Sequence, residues 1–346
     1  MIRVDASSEI GTGHVMRCLT LAHLLKQQGA IVTFICCELP GNMNVIIKEL
    51  GFSLQTLPYE REFNQNLDAR QTIQLIEKMK IEKIDWIVID HYQIANIWEK
   101  QLKPYSNQIL VIDDLANRSH DCDVLLDQNY YIDMAERYLS LVPTSTKLLL
   151  GPTNLLLRDE FIHNNIAPKK FEKIRRFLIF YGGSDPTNET EKVLQAFKKL
   201  SFSDIKIDVI VGQSNLNKKR IEELALEIGA TFYCQIDFIS DLMSKADISF
   251  GAGGVTMWER CYLGLPSVVT IVVENQELST EAAAKFGAIF NLGNDKNITA
   301  HTYAEFINEL VENPIPLNQM SERALQLVKR EKSCEQHPLI SLMFNE

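Results

Sequence analysis

The sequence predicts an α/β protein made of two doubly wound, Rossmann-like halves. Three observations carry this. Short apolar runs alternate with amphipathic segments along most of the 346 residues. The alternation breaks near residue 150 and restarts at "RFLIFYGG". Each half has a glycine-rich loop directly after a strand. A β-α-β rhythm of this kind calls for parallel sheets covered by helices.

In the first half "MIRVDA" reads as a strand. Residues 13–29 read as a helix, with Val15, Leu19, Ala22 and Leu25 on one face and Gly29 as its stop. "AIVTFICC" is the next strand, a helix follows near 43–50, and then the strand "FSLQTL". Residues 68–82 read as a helix, "DWIVIDHY" as a buried strand, 95–102 as a helix, and "QILVIDD" and "CDVLLD" as strands. "LLLGPTNLLLRDEF" carries a Gly-Pro turn without strand alternation, and "APKKFEKIRR" is a polar connector. This puts domain boundaries at 1–155 and 156–346. The second half has strands at "RFLIFYGG", "IKIDVIVG", "DISFGAGG" and "PSVVTIVV". Its helices fall near 188–200, 216–228, 238–245, 254–263, 276–286 and 300–312. Two such domains facing a cleft would place ligands at the C-terminal edges of their strands.

Composition narrows the function. With 35 Lys+Arg against 45 Asp+Glu the net charge is −10. The chain has no Lys/Arg-rich run and lacks the footprint of a nucleic-acid binder. No apolar run reaches the roughly 18 residues of a membrane span, and "MIRVDASSEIG" is not a signal peptide, so a cytoplasmic enzyme without membrane insertion is expected. The seven cysteines are odd in number and scattered, with no C-x-x-C pair, so neither disulfides nor zinc is indicated. Oligomeric state is not readable.

Six stretches are candidates for chemistry. Gly11-Thr12-Gly13-His14-Val15-Met16 begins like a dinucleotide loop, but Met16 stands at the third glycine position, and the second strand ends at Cys36-Cys37-Glu38 with no ribose-binding acid placed there. The loop still offers amide groups and a helix start to an anion. That dipole end disfavours the imidazolium form of His14, and a neutral imidazole can take a proton from water. The alternative reading is that His14 does no more than hydrogen-bond the turn. Gly182-Gly183-Ser184-Asp185 precedes a helix for which Thr187 or Asn188 is a plausible N-cap. It could cradle a diphosphate or form only a tight turn. Gly251, Gly253 and Gly254 open another helix. Glu259, about one and a half turns in, could accept both hydroxyls of a ribose, or could simply be a solvated carboxylate. Asn275 and Gln276, Asp90-His91-Tyr92 and Asp113-Asp114 end further strands; a metal at Asp113-Asp114 lacks a spaced third ligand.

In order, D-x-S-x-x-I-G-x-G-H-x-x-R from Asp5, D-H-Y, G-G-S-D, G-x-G-G-x-x-x-x-E, G-x-P and E-N-Q-E resemble the PseG family. These are UDP-2,4-diacetamido-2,4,6-trideoxy-β-L-altropyranose hydrolases of pseudaminic acid biosynthesis, related to MurG. The resemblance runs from Asp5 to about Leu292. It implies the GT-B fold, with a C-terminal helix crossing back to the first domain. It also implies hydrolysis of a UDP-sugar by water at the anomeric carbon, with inversion, and no cofactor or metal. His14 would be the general base. Gly13, Tyr92, Gly183, Ser184, Gly253, Gly254, Glu259, Asn275 and Gln276 would bind substrate. Asp185-Pro186 departs from MurG in the G-G-S-D loop. The sugar would serve flagellin glycosylation or a capsule; a legionaminic route is also open. A GT-B glycosyltransferase using a UDP-sugar donor is the rival reading. A non-catalytic UDP-sugar binder is the third.

Overall fold

The computed structural model describes residues 1–164, 166–200, 202, 204–329 and 337–344. The chain forms two compact units, Met1–Leu156 with Glu331–Glu346, and Leu157–Arg330.

Unit 1 runs β1 (Ile2–Val4), α1 (Gly13–Gln27), β2 (Thr33–Cys37), α2 (Asn44–Glu49), β3 (Ser53–Leu57), α3 (Gln65–Lys78), β4 (Ile84–Asp90), α4 (Asn96–Leu102), β5 (Ser106–Ile112), β6 (Val124–Asp127) and β7 (Lys147–Leu150). All seven strands are parallel, in the order β3-β2-β1-β4-β5-β6-β7. The chain therefore reverses its winding between β1 and β4, the switch point where α/β sheets bind ligands. Strand periodicity sorts the core. Ile87, Ile89, Ile109 and Val111 face one cluster with Trp98 and Ile76. Val88, Leu110 and Ile112 face the other, with Leu19, Ala22 and Phe34. Each such buried aliphatic side chain contributes about 1.5–3 kcal/mol. Gly29 ends α1 with φ +86°, a conformation only glycine adopts freely.

Unit 2 runs α5 (Asp159–Ile162), β8 (Arg176–Phe180), α6 (Glu189–Leu200), β9 (Lys206–Val211), α7 (Lys218–Glu227), β10 (Thr231–Cys234), α8 (Ile239–Lys245), β11 (Ile248–Ala252), α9 (Val255–Tyr262), β12 (Ser267–Ile271), α10 (Glu277–Phe286), β13 (Phe290–Asn294), α11 (Ala300–Glu312) and α12 (Pro316–Val328). Its six parallel strands are ordered β10-β9-β8-β11-β12-β13, so this switch point lies between β8 and β11. Phe177, Ile179, Val209, Val211 and Phe250 form the centre of its core beneath α6 and α11.

The last helix, α13 (Pro338–Phe344), belongs to unit 1. Leu339 and Ile340 are buried in the Leu19–Phe34 cluster, and His337 Nε2 bonds the Asn154 carbonyl at 3.2 Å. The sequence boundaries counted this tail with residues 156–346, with its C-terminal helix crossing back to the first domain; apolar burial groups α13 with the first unit.

Several elements differ from their expected form. Strands β7, β10 and β13 and helices α5 and α12 were not expected. β7 and β10 are edge strands of four residues, and β13, the other edge of its sheet, mixes Asn and Gly with its apolar residues; none alternates clearly. Helix α3 begins at Gln65 because Asn64 accepts from Asn66 N and Leu67 N. Strand β4 stops at Asp90 and β5 at Ile112, which leaves His91-Tyr92 and Asp113-Asp114 on the loops.

Candidate active site

In unit 1 the loop after β1 is built by Ser7. Its hydroxyl accepts from Glu9 N (3.2 Å) and Ile10 N (2.9 Å), and its carbonyl accepts from Gly11 N (2.9 Å). Gly11, at φ +81°, then turns the chain into α1. Gly13 is exposed at the first helical position, and His14 follows, 8% exposed. Its Nδ1 lies 2.6 Å from Asp90 Oδ1 at the end of β4, so the imidazole is fixed across the switch point.

Asp90 is wholly enclosed. Arg17, one turn after His14, meets both its oxygens, Nε to Oδ2 at 2.6 Å and Nη2 to Oδ1 at 2.7 Å. Burial alone would push the Asp90 carboxyl up. The Arg17 guanidinium, helped by His14, overrides it and holds the group well below the usual carboxylate range. The carboxylate accepts, so Nδ1 carries a hydrogen, and in the neutral ring that tautomer leaves the lone pair on Nε2. Tyr92 packs edge-on against His14, 4.4 Å between ring centres at 86°. Burial, then the Asp114 carboxylate to which it hydrogen-bonds, pushes its phenol upward, so it is a neutral donor. Arg17 Nη1 reaches the same Asp114 at 3.5 Å.

His91 has a different role. Its Nε2 faces Asp5 Oδ2 at 3.2 Å and its Nδ1 accepts from Gln93 N at 3.2 Å. Burial holds it below the ordinary histidine range, a neutral structural ring. Asp5 and Asp68 in turn clamp the buried Arg3 guanidinium, at 2.7 and 2.6 Å. This closed network floors a cavity of about 750 Å³ lined by His14, Tyr92, Asp90, Cys37, Arg61 and Phe63.

In unit 2 the Gly182–Asp185 loop follows β8. Thr187 and Asn188 do not cap the next helix; Asp185 does, at φ +43°, accepting from Glu189 N (3.0 Å) and Thr190 N (2.9 Å). Asp185 sits two or three residues closer to the strand than the expected caps Thr187 and Asn188, and its side chain turns back onto those amides. The α6 start thus already carries a carboxylate. Gly183 packs tightly against Gly212: a β-carbon there would meet Gly183 O at 2.4 Å. Ser184 is half-buried beside it.

The second loop differs. Gly254 precedes α9 at φ +85°, ψ −159°, and α9 has neither a side-chain cap nor an acid in its first turn. Gln276 lies against this loop, its β-carbon 3.0 Å from where a Gly253 side chain would begin, with its Oε1 accepting from Val272 N (3.3 Å). Asn275 is exposed on the adjoining turn. Glu259 is 2% exposed, and both its oxygens are held by Arg158, Nε at 2.9 Å and Nη2 at 3.1 Å. Burial raises this carboxyl and Arg158 opposes it.

Sequence reasoning named His14 and Tyr92 but missed Asp90, Arg17 and Asp114 as their partners, and Arg158 as that of Glu259. Arg17 had a signal: at i+3 from His14 it shares the face of α1. Arg158 had none.

In structure the chain is similar to the MurG of Acinetobacter baumannii. The two chains align over 100% of this chain and 99% of that one, with TM-score 0.68 at 15% identity. This chain has the GT-B fold. No protein-family model matches it. By sequence it is similar to the UDP-2,4-diacetamido-2,4,6-trideoxy-beta-L-altropyranose hydrolase of Campylobacter jejuni, 29% identical over 83% of this chain and 96% of the relative. It is also similar to the spore coat polysaccharide biosynthesis protein SpsG of Bacillus subtilis, 24% identical over 84% and 83%. Among the described residues no helix is long and apolar enough to cross a membrane, and no three His, Cys, Asp or Glu side chains converge as metal ligands.

Proposed function

We propose that the chain hydrolyses a UDP-2,4-diacetamido-2,4,6-trideoxyhexose to free sugar and UDP. The hydrogen-bonded His14–Asp90 pair on the wall of the unit 1 cavity carries this reading. Unit 1 supplies the base and the sugar pocket. Unit 2 supplies the nucleotide site at Gly253, Gly254, Gln276 and Asn275, with Glu259 for the ribose hydroxyls, positioned by Arg158, and Gly183 and Ser184 alongside. The similarity to the C. jejuni hydrolase supports the substrate class.

Water bound in the cavity gives its proton to His14 Nε2 while its oxygen bonds the anomeric carbon. The C1–O bond breaks, its electron pair leaves on UDP, and the configuration inverts. Asp90 holds the ring and meets the imidazolium that forms. Tyr92, a neutral donor against His14, orients the sugar. Such general-base help is worth about 10²–10⁴-fold. On this reading the enzyme works in the cytoplasm, and its sugar enters a surface glycan such as that of flagellin or capsule.

The test is UDP release by wild type and His14→Ala, with the product's anomeric configuration followed by NMR. We expect inverted sugar and a loss of about 10²–10⁴-fold in the variant. Undiminished release by His14→Ala refutes the assignment. Release that requires an added acceptor sugar or lipid makes the chain a transferase instead.

A further inference from the structure

Arg260, on α9 of unit 2, is fully enclosed at 0% exposure. Its Nη2 donates to the Ala252 carbonyl at 2.7 Å. Nε and Nη1, both buried, meet no hydrogen-bond acceptor among the described residues. The neighbouring carboxylate, Glu259, is committed to Arg158. Arg260 is thus a buried cation without a carboxylate of its own, an arrangement that strongly disfavours a fold unless something else supplies the negative charge. Burial draws the guanidinium down to about 10, so it remains cationic at neutral pH.

Its position says what that charge is. A β-carbon on Gly251 would lie 2.2 Å from Nη1 and 2.5 Å from the Phe180 carbonyl. The guanidinium therefore sits between the ends of β8 and β11, at the switch point and directly beneath the Ala252–Gly254 loop. The peptide groups are trans, so a carbonyl and the next N–H point opposite ways. Anchoring the Ala252 carbonyl on Arg260 aims the Gly253 N–H away from Arg260, to the outer side of the loop. The Thr280 hydroxyl, also buried and without a partner, flanks the same glycine: a Gly253 β-carbon would meet it at 2.8 Å.

We infer that Arg260 is the built-in counter-charge of the nucleotide's diphosphate, a positioning residue that acts through and across the loop without touching the ligand. This rests on the reading of unit 2 as the nucleotide site. It accounts for how a chain of net charge −10 holds a dianion with no lysine or arginine on the loop itself.

The test is calorimetric titration of the full chain with UDP, inorganic pyrophosphate and uridine. For Arg260→Met we expect UDP and pyrophosphate to weaken by about tenfold or more, with uridine unchanged. Arg260→Lys should fall between wild type and Arg260→Met. Without nucleotide, Arg260→Met should melt no lower than wild type, because it sheds a buried charge. UDP binding unchanged in Arg260→Met, or UDP and uridine weakened alike, overturns the inference. Should that variant not fold, Arg260→Gln removes the charge while keeping a donor for the Ala252 carbonyl; unchanged UDP and pyrophosphate affinity there overturns it equally. If wild type binds neither UDP nor pyrophosphate, the nucleotide reading itself falls.

Discussion

Changing Asp90 to Asn preserves the shape of the group that meets His14 but removes the charge that Arg17 and the imidazole share. The amide can present its nitrogen to Nδ1 and reverse the tautomer, leaving no lone pair at Nε2. The expected loss in kcat is about 10²–10⁴-fold with little change in UDP affinity, and ¹⁵N NMR of the ring should show the tautomer shift. A second prediction concerns Asp127, whose carboxyl burial pushes up to about 7. Its folded pKa lies above its unfolded value near 3.9, so its contribution is fully present below pH 3.9 and is lost as pH rises through about 7. Asp127→Asn should therefore melt closer to wild type at pH 4 and gain relative to it at pH 8. Tyr138 can still donate to Asp113 Oδ2, at 3.1 Å. Equal pH slopes in thermal melts would contradict this. His14 was readable because a histidine inside a glycine loop is unusual. Asp90 was not, because a lone aspartate ending a strand has no spacing signature and its partner lies 76 residues away.

At the level of elements, the two glycine loops of unit 2 looked alike in sequence and differ in structure. Asp185 fills the start of α6 with its own carboxylate, whereas Gly254 leads into α9 without a side-chain cap. The spacing of G-G-S-D could not show this, since the cap depends on a positive φ at Asp185. Asp185→Ala should lower stability by about 1 kcal/mol, read by denaturant unfolding, and leave UDP affinity intact. Gly254→Ala places a β-carbon in a backbone region that essentially only glycine occupies, costing about 1–3 kcal/mol, and should weaken UDP as well. Central strands were legible because both their faces are buried and read as continuous apolar runs. The edge strands β7, β10 and β13 were not, since a half-covered strand of four or five residues has too little pattern.

At the level of the whole molecule, β7, the last strand of the first sheet, ends at Leu150, where the sequence pattern breaks, yet pattern alone could not assign the tail. Nothing in "HPLISLMF" distinguishes one core from another; only the burial of Leu339 and Ile340 beside Leu19 and Phe34 does so. Leu339→Ala should cost about 2–5 kcal/mol, and the loss should fall on unit 1. Limited proteolysis followed by mass spectrometry would locate it, with cleavage rising within residues 1–156 while 157–329 stay protected. The same tail has a consequence for synthesis. Unit 2 is one continuous stretch of chain, whereas unit 1 is assembled from residues 1–156 and, beyond unit 2, α13. A ribosome therefore delivers every residue of unit 2 before it delivers α13. Unit 2 can close while translation continues. The core beside α1, the helix that carries His14, stays open on one side until α13 has been made.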